Sequence, residues 1–99
     1  MSKVRTHKDL IVYQKGIQLV TEIYKFTSTF PDEEKFGLTS QFRGAAISVP
    51  ANIPEGSSRK STKEFIQFLY IALGSASEIE TLLEISKNLG LMEIIKLIR

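Results

Sequence analysis

From Thr62 to Asn88 the sequence holds one unbroken helical period, and a rod of that length dictates the shape of whatever packs against it. Phe65, Phe68, Leu69, Ala72, Leu73, Ala76, Ile79, Leu82, Leu83 and Ser86 recur at three-to-four spacing, and Ile66, Tyr70 and Ile85 widen the apolar arc. Ser61 with Glu64 forms a capping box that opens this helix. Asn88-Leu89-Gly90 closes it, because Gly90 can take the left-handed conformation of a C-cap. About 27 residues rise about 40 Å, so the partners must themselves be long helices lying alongside. The expected fold is all-α: an antiparallel up-down four-helix bundle with three long helices and a short fourth.

The remaining segments supply those partners. Thr6 and Asp9 resemble a second capping box, so a first helix should begin near His7 and run until Pro31 ends it. It carries two adjacent apolar stripes, Leu10-Tyr13-Ile17-Val20-Tyr24 and Val12-Leu19-Ile23-Phe26-Phe30. A face that broad needs two flanking helices or a neighbouring subunit. Asp32, Glu33 and Glu34 suit the N-terminal end of a following turn, with Gly37 at the corner. A second helix resumes near Leu38 with Phe42, Ala45, Ala46 and Val49, small residues that permit close packing. Pro50 and Pro54 each remove a backbone donor, at roughly 3 kcal/mol in an ordinary helix interior, so a kink or break is expected between Ala46 and Glu55. The last stretch, Leu91 to Arg99, puts Leu91, Ile94, Ile95 and Ile98 on one side of a fourth helix. Its rise of about 13 Å cannot cover its longer neighbours. The expectation is therefore a homo-oligomer in which another copy completes the apolar surface.

Composition bounds the rest. With 99 residues, 42% of them hydrophobic and 24% charged, the chain reads as a single folded domain over 1–99. No apolar run approaches the roughly 20 residues of a membrane span, and Met1-Ser2-Lys3-Val4-Arg5 lacks a signal-peptide core, so no membrane and a cytoplasmic location are expected. Cysteine is absent, which removes disulfides and thiolate metal sites. His7 is the single histidine and has no second ligand at metal-binding spacing. Glu78, Glu80 and Glu84 lack the Glu-x-x-His elements of helical di-metal sites. No acid, base or nucleophile pair stands out, so neither an enzyme nor a cofactor is expected.

The net charge of +2 is small, but its distribution is uneven. Lys3, Arg5 and Lys8 form one basic cluster, and Arg59, Lys60 and Lys63 form another. Such clusters are either solvated surface or phosphate contacts for RNA or DNA, with Arg5, Lys8, Arg59, Lys60 and Lys63 as the candidates. If the second and third helices form a hairpin turning near Lys60, residues whose numbers add to about 120 stand level. That places Arg43 opposite Glu78, where the two could pair bidentately. It also places Asn52 and Glu55 near Phe65 and Phe68, with the Asn52 amide available to carbonyls freed by the prolines. These four residues read as a polar network stapling a broken helix, or else as a ligand site.

Three runs carry a family resemblance: Glu34-Lys35-Phe36-Gly37-Leu38-Thr39-Ser40-Gln41-Phe42-Arg43, Ala45 through Gly56 (AAISVPANIPEG), and Phe68 through Ser75 (FLYIALGS). Together they closely resemble the bacterial four-helix-bundle family also called 23S rRNA intervening-sequence proteins. Asp9-Leu10-Ile11-Val12-Tyr13-Gln14-Lys15 is similar to its helix-one signature, which commonly has Trp where Tyr13 stands. The resemblance implies a four-helix bundle, assembly of several members as pentamers, and a likeness to the accessory variability determinants of diversity-generating retroelements, basic pentamers associated with nucleic acid and a reverse transcriptase. It leaves the biochemical activity undefined. The chain departs from the pattern at Gly44, where a second arginine is frequent, at Pro54, where alanine is usual, and in its short fourth helix. A competing expectation is a structural or protein-interaction module that docks a partner through apolar helix faces.

Overall fold

Three α-helices make up most of the protein in a computed structural model that describes residues 6–91. They are α1 (Ile11–Thr27), α2 (Leu38–Ser57) and α3 (Thr62–Asn88). The described residues contain no strand. The expected fourth helix lies, beyond Leu91, outside the described residues.

The helix boundaries follow from local chemistry, and two differ from expectation. Thr6 and Asp9 do form a reciprocal capping box, but it closes only a 3-10 turn, His7–Asp9. Leu10 is extended at ψ 131°, so α1 starts at Ile11 rather than near His7. At its far end α1 stops at Thr27, ahead of Pro31. Ser28 and Thr29 turn their hydroxyls back onto the carbonyls of Lys25 and Phe26, competing with the helical pattern. Pro31 instead leads a second 3-10 turn, Asp32–Glu34. Glu34 then reaches forward: its Oε1 accepts from the Leu38 amide at 3.2 Å and caps the first turn of α2. Ser61 caps α3 by accepting from the Glu64 amide, and Gly90 ends it at φ +80°, where only glycine is unstrained.

Of the kink or break expected in α2, the break does not occur: the helix runs continuously through Pro50 and Pro54. By helix geometry the two prolines strip donors from the Ala46 and Pro50 carbonyls. The Asn52 amide donates instead to the Ser48 carbonyl at 2.6 Å and to the Ser48 hydroxyl at 3.0 Å. Burial holds the helix together. Phe42, Ala45, Ala46, Val49 and Ile53 are all buried in the centre of the protein, and that apolar contact offsets the proline cost.

α2 is the middle helix of a layer and makes the principal contacts with both neighbours. Gly16 of α1 meets Pro50, where an added Cβ would stand 3.1 Å from the proline Cβ; at the opposite end Arg43 reaches Thr27. In the other direction Ser48 meets Ser75, and Gly56 meets Phe65 and Phe68. Both pairings are antiparallel. The core lies on one face of the layer, joining Ile23, Phe30, Leu38, Phe42, Ile79, Leu82 and Leu91. Within it Phe26, Phe30 and Phe42 stack edge to face at 5.1 to 5.7 Å.

Candidate nucleic-acid interface and apolar surfaces

The residues of the expected polar network are placed apart. Arg43 lies level with α3 but points to the other side of α2, toward α1. Its Nε donates to Thr27 Oγ1 at 2.9 Å, its Nη2 to the Tyr24 carbonyl at 3.5 Å, and its guanidinium lies 4.3 Å from the Tyr24 ring centre. A cation on the last carbonyls of α1 complements the helix dipole there. Replacing Arg43 by methionine, which keeps the stem but not the charge, is expected to lower stability by about 1 kcal/mol in urea unfolding. Asn52 stays within α2, and Glu55 pairs with Arg59 at 3.1 Å. Glu78 borders a shallow polar groove between α2 and α3 with Gln41, Ser48 and Ser75. The hairpin count found the level of each residue. It could not find the side, which is set by the 100° step between residues.

Sequence reasoning also passed over two hydroxyl contacts. Thr27 is buried, donates to the Ile23 carbonyl at 2.7 Å and accepts from Arg43. Ser48 and Ser75 bond across α2 and α3 at 2.8 Å. Small polar residues among apolar ones carry no signal for their partners until the helix register is known.

The two basic clusters fare differently. The α1–α2 register set by Gly16 and Pro50 brings Lys8 level with the end of α2, and the 3-10 turn His7–Asp9 packs on that helix. Lys8 therefore joins Arg59, Lys60 and Lys63 at one end of the layer, although about 50 residues separate them in sequence. All four are exposed. Arg59 is partly engaged, pairing with Glu55 and lying 5.0 Å from the Phe68 ring centre. Asp9, Glu55 and Glu64 share that end and dilute its charge. Arg5 lies outside the described residues.

Apolar surface is the other conspicuous property. On the core face Val12, Val49, Ile53, Leu69, Ala72, Leu73 and Ala76 border an open apolar cleft of about 420 Å³. On the opposite face Tyr13, Ile17, Val20, Ile47, Ala51 and Pro54 border another of about 270 Å³. Phe36, at the corner between α1 and α2, is 91% exposed. His7 packs edge-on to Tyr13 at 4.8 Å. Among the described residues no three His, Cys, Asp or Glu side chains are grouped to hold a metal ion, and no helix is long and apolar enough to cross a membrane.

A family model, that of the 23S rRNA-intervening sequence protein, matches residues 8–98. The chain belongs to this family. No curated protein matches the sequence. The matched span contains all three α-helices and all but the first residue of the His7–Asp9 turn. At Gly44, where the family resemblance leads one to expect a second arginine, an added Cβ would meet nothing within 4 Å. Packing therefore does not impose the glycine.

Proposed function

We propose that this protein is a non-catalytic homo-oligomeric scaffold, a ring of five by its family resemblance, whose basic end holds RNA or DNA by the phosphate backbone. One observation carries the nucleic-acid half: folding brings Lys8 level with the Arg59-Lys60-Lys63 turn, at one end of the layer. Arg5 precedes Lys8 closely in sequence and belongs to the same set of contacts. Repetition in an oligomer multiplies a modest charge per subunit into a useful affinity, because later contacts are made at high effective concentration. A cytoplasmic setting belongs to the same reading.

Contacts of this kind release counterions, so affinity should fall steeply with salt. Labelled ribosomal RNA fragments titrated by fluorescence anisotropy are expected to bind at low ionic strength. In a Lys60→Gln/Lys63→Gln variant the slope of log affinity against log salt should fall by about one per lysine contact removed. Absence of salt-sensitive binding at low ionic strength would sink this half of the proposal. The second reading, a module that docks a protein partner, draws on the exposed Phe36 ring. A partner retained after nuclease treatment and lost in Phe36→Ser would favour it.

A further inference from the structure

A guanidinium drawn partly out of water is normally matched by a carboxylate, because its solvation is no longer complete. Arg43 is half-buried and has no such match. Among the described residues neither Arg43 nor Lys35 has a carboxylate within 4.0 Å. What Arg43 touches is neutral: the Thr27 hydroxyl through Nε, the Tyr24 carbonyl through Nη2, and the face of the Tyr24 ring. Those contacts fix the plane of the guanidinium and occupy one edge of it. The Nη1 donors are left without a protein acceptor.

The same guanidinium lines a cavity of about 260 Å³ at the corner between α1 and α2, together with Lys35, Thr39, Ser28 and Asp32. Lys35 Nζ lies 5.6 Å from the Phe36 ring centre. Thr39 is half-buried, and among the described residues its hydroxyl has no hydrogen-bond partner. Glu34 is turned away from the cavity, its carboxylate accepting from the Leu38 amide at 3.2 Å. Asp32 is the one acidic side chain in the wall, and it pairs with neither cation. The cavity is smaller than the roughly 300–1,000 Å³ of sites for drug-sized ligands, so it suits a compact group. A flat guanidinium fork, a mobile ammonium and a hydroxyl are the donor set that phosphate oxygens accept from.

We propose that this corner pocket binds a phosphate group, with Arg43, Lys35 and Thr39 as the donors. The dipole contact of Arg43 with the end of α1 accounts for its Nε edge; it does not account for the open Nη1 edge, for the unpaired Lys35 or for the free Thr39 hydroxyl. The site is separate from the basic end, since Arg43 and Arg59 stand roughly 24 Å apart along α2. It depends neither on assembly nor on nucleic acid at that end. The phosphate is supplied by a free anion or by the terminal phosphate of an RNA strand, and the same donors serve both.

The test is a titration of nitrogen-15-labelled protein with inorganic phosphate at constant ionic strength, balanced with chloride. The Arg43 Nε–H signal and the Lys35 and Thr39 amide signals are expected to shift saturably over millimolar phosphate, and chloride alone should move none of them. Lys35→Gln should weaken binding about fivefold and Asp32→Asn should tighten it by a similar factor, the effect of one exposed charge. A purely structural Arg43 would produce neither change. A short 5′-phosphorylated oligoribonucleotide is then compared with the same strand bearing a 5′-hydroxyl. Tighter binding of the phosphorylated strand than of free phosphate, read at the same signals, supports the proposal with an RNA end as the ligand; equal or weaker binding supports it with the free anion. Signals that stay still, or that respond equally in Lys35→Gln, overturn the proposal. Shifts confined to Lys8, Lys60 and Lys63 also overturn it, because they report the basic end alone.

Discussion

Truncating Phe42 to alanine is expected to cost about 3–5 kcal/mol of unfolding free energy, the range for removing a fully buried aromatic ring. Phe42 has no exposed surface and contacts Phe26 and Phe30 edge to face at 5.4 and 5.7 Å. It also sits where α2 joins both neighbours, in a cluster with Ile23 of α1 and Ile79 and Leu82 of α3. Removing it leaves a void that three helices line and none can fill without shifting. A domain of this size has about 5–15 kcal/mol in total, so the variant should reach its unfolding midpoint at far lower urea. Phe42→Leu keeps most of the volume and should cost about a third as much. A loss below about 1 kcal/mol for Phe42→Ala would show that the three-ring cluster is not the organising contact of the core.

The second large effect is expected at Gly56. A Cβ there would lie 2.7 Å from the Phe68 Cβ and 2.8 Å from a Phe65 ring carbon, closer than real side chains approach. Gly56→Ala should therefore push α3 away from the end of α2 and cost about 2–3 kcal/mol, as overpacking does. Gly44→Ala is the matched comparison, since it sits in the same helix with open space around it. There the change should stabilise by about 0.5–1 kcal/mol, because alanine restricts the unfolded chain. Opposite signs from the same substitution in one helix isolate packing from helix propensity. Equal signs would contradict the close approach at Gly56.

Much of this architecture is legible in the sequence where a residue's effect is local. Ser61 and Glu64 mark the start of α3, Gly90 marks its end, and the extent Thr62–Asn88 follows from the period between them. The α1 boundaries and the continuity of α2 are not legible in this way. Thr6 caps a turn that Leu10 then interrupts, and whether Pro50 breaks a helix depends on what packs against it, here the bare backbone of Gly16. The basic residues are readable as two clusters, whereas the placing of Lys8 beside the second requires the α1–α2 register. Arg43 shows the remaining gap most clearly. Its level against α3 can be counted, but its side cannot, and the side decides that Thr27 and Tyr24, not Glu78, are its partners.

The proposed function draws on what the layer leaves exposed. Among the described residues one face carries the core, both faces carry an apolar cleft, and one end gathers Lys8, Lys60 and Lys63. The proposed nucleic-acid binding depends on the proposed assembly, which would multiply a weak basic end.

The most direct test is the mass of the full chain in solution, by light scattering on a sizing column at tens of micromolar, run with and without nuclease treatment. Assembly predicts a single peak at a multiple of the 11.2 kDa subunit mass that survives nuclease, with nucleic-acid absorbance lost on treatment. A peak at the subunit mass under both conditions would contradict it.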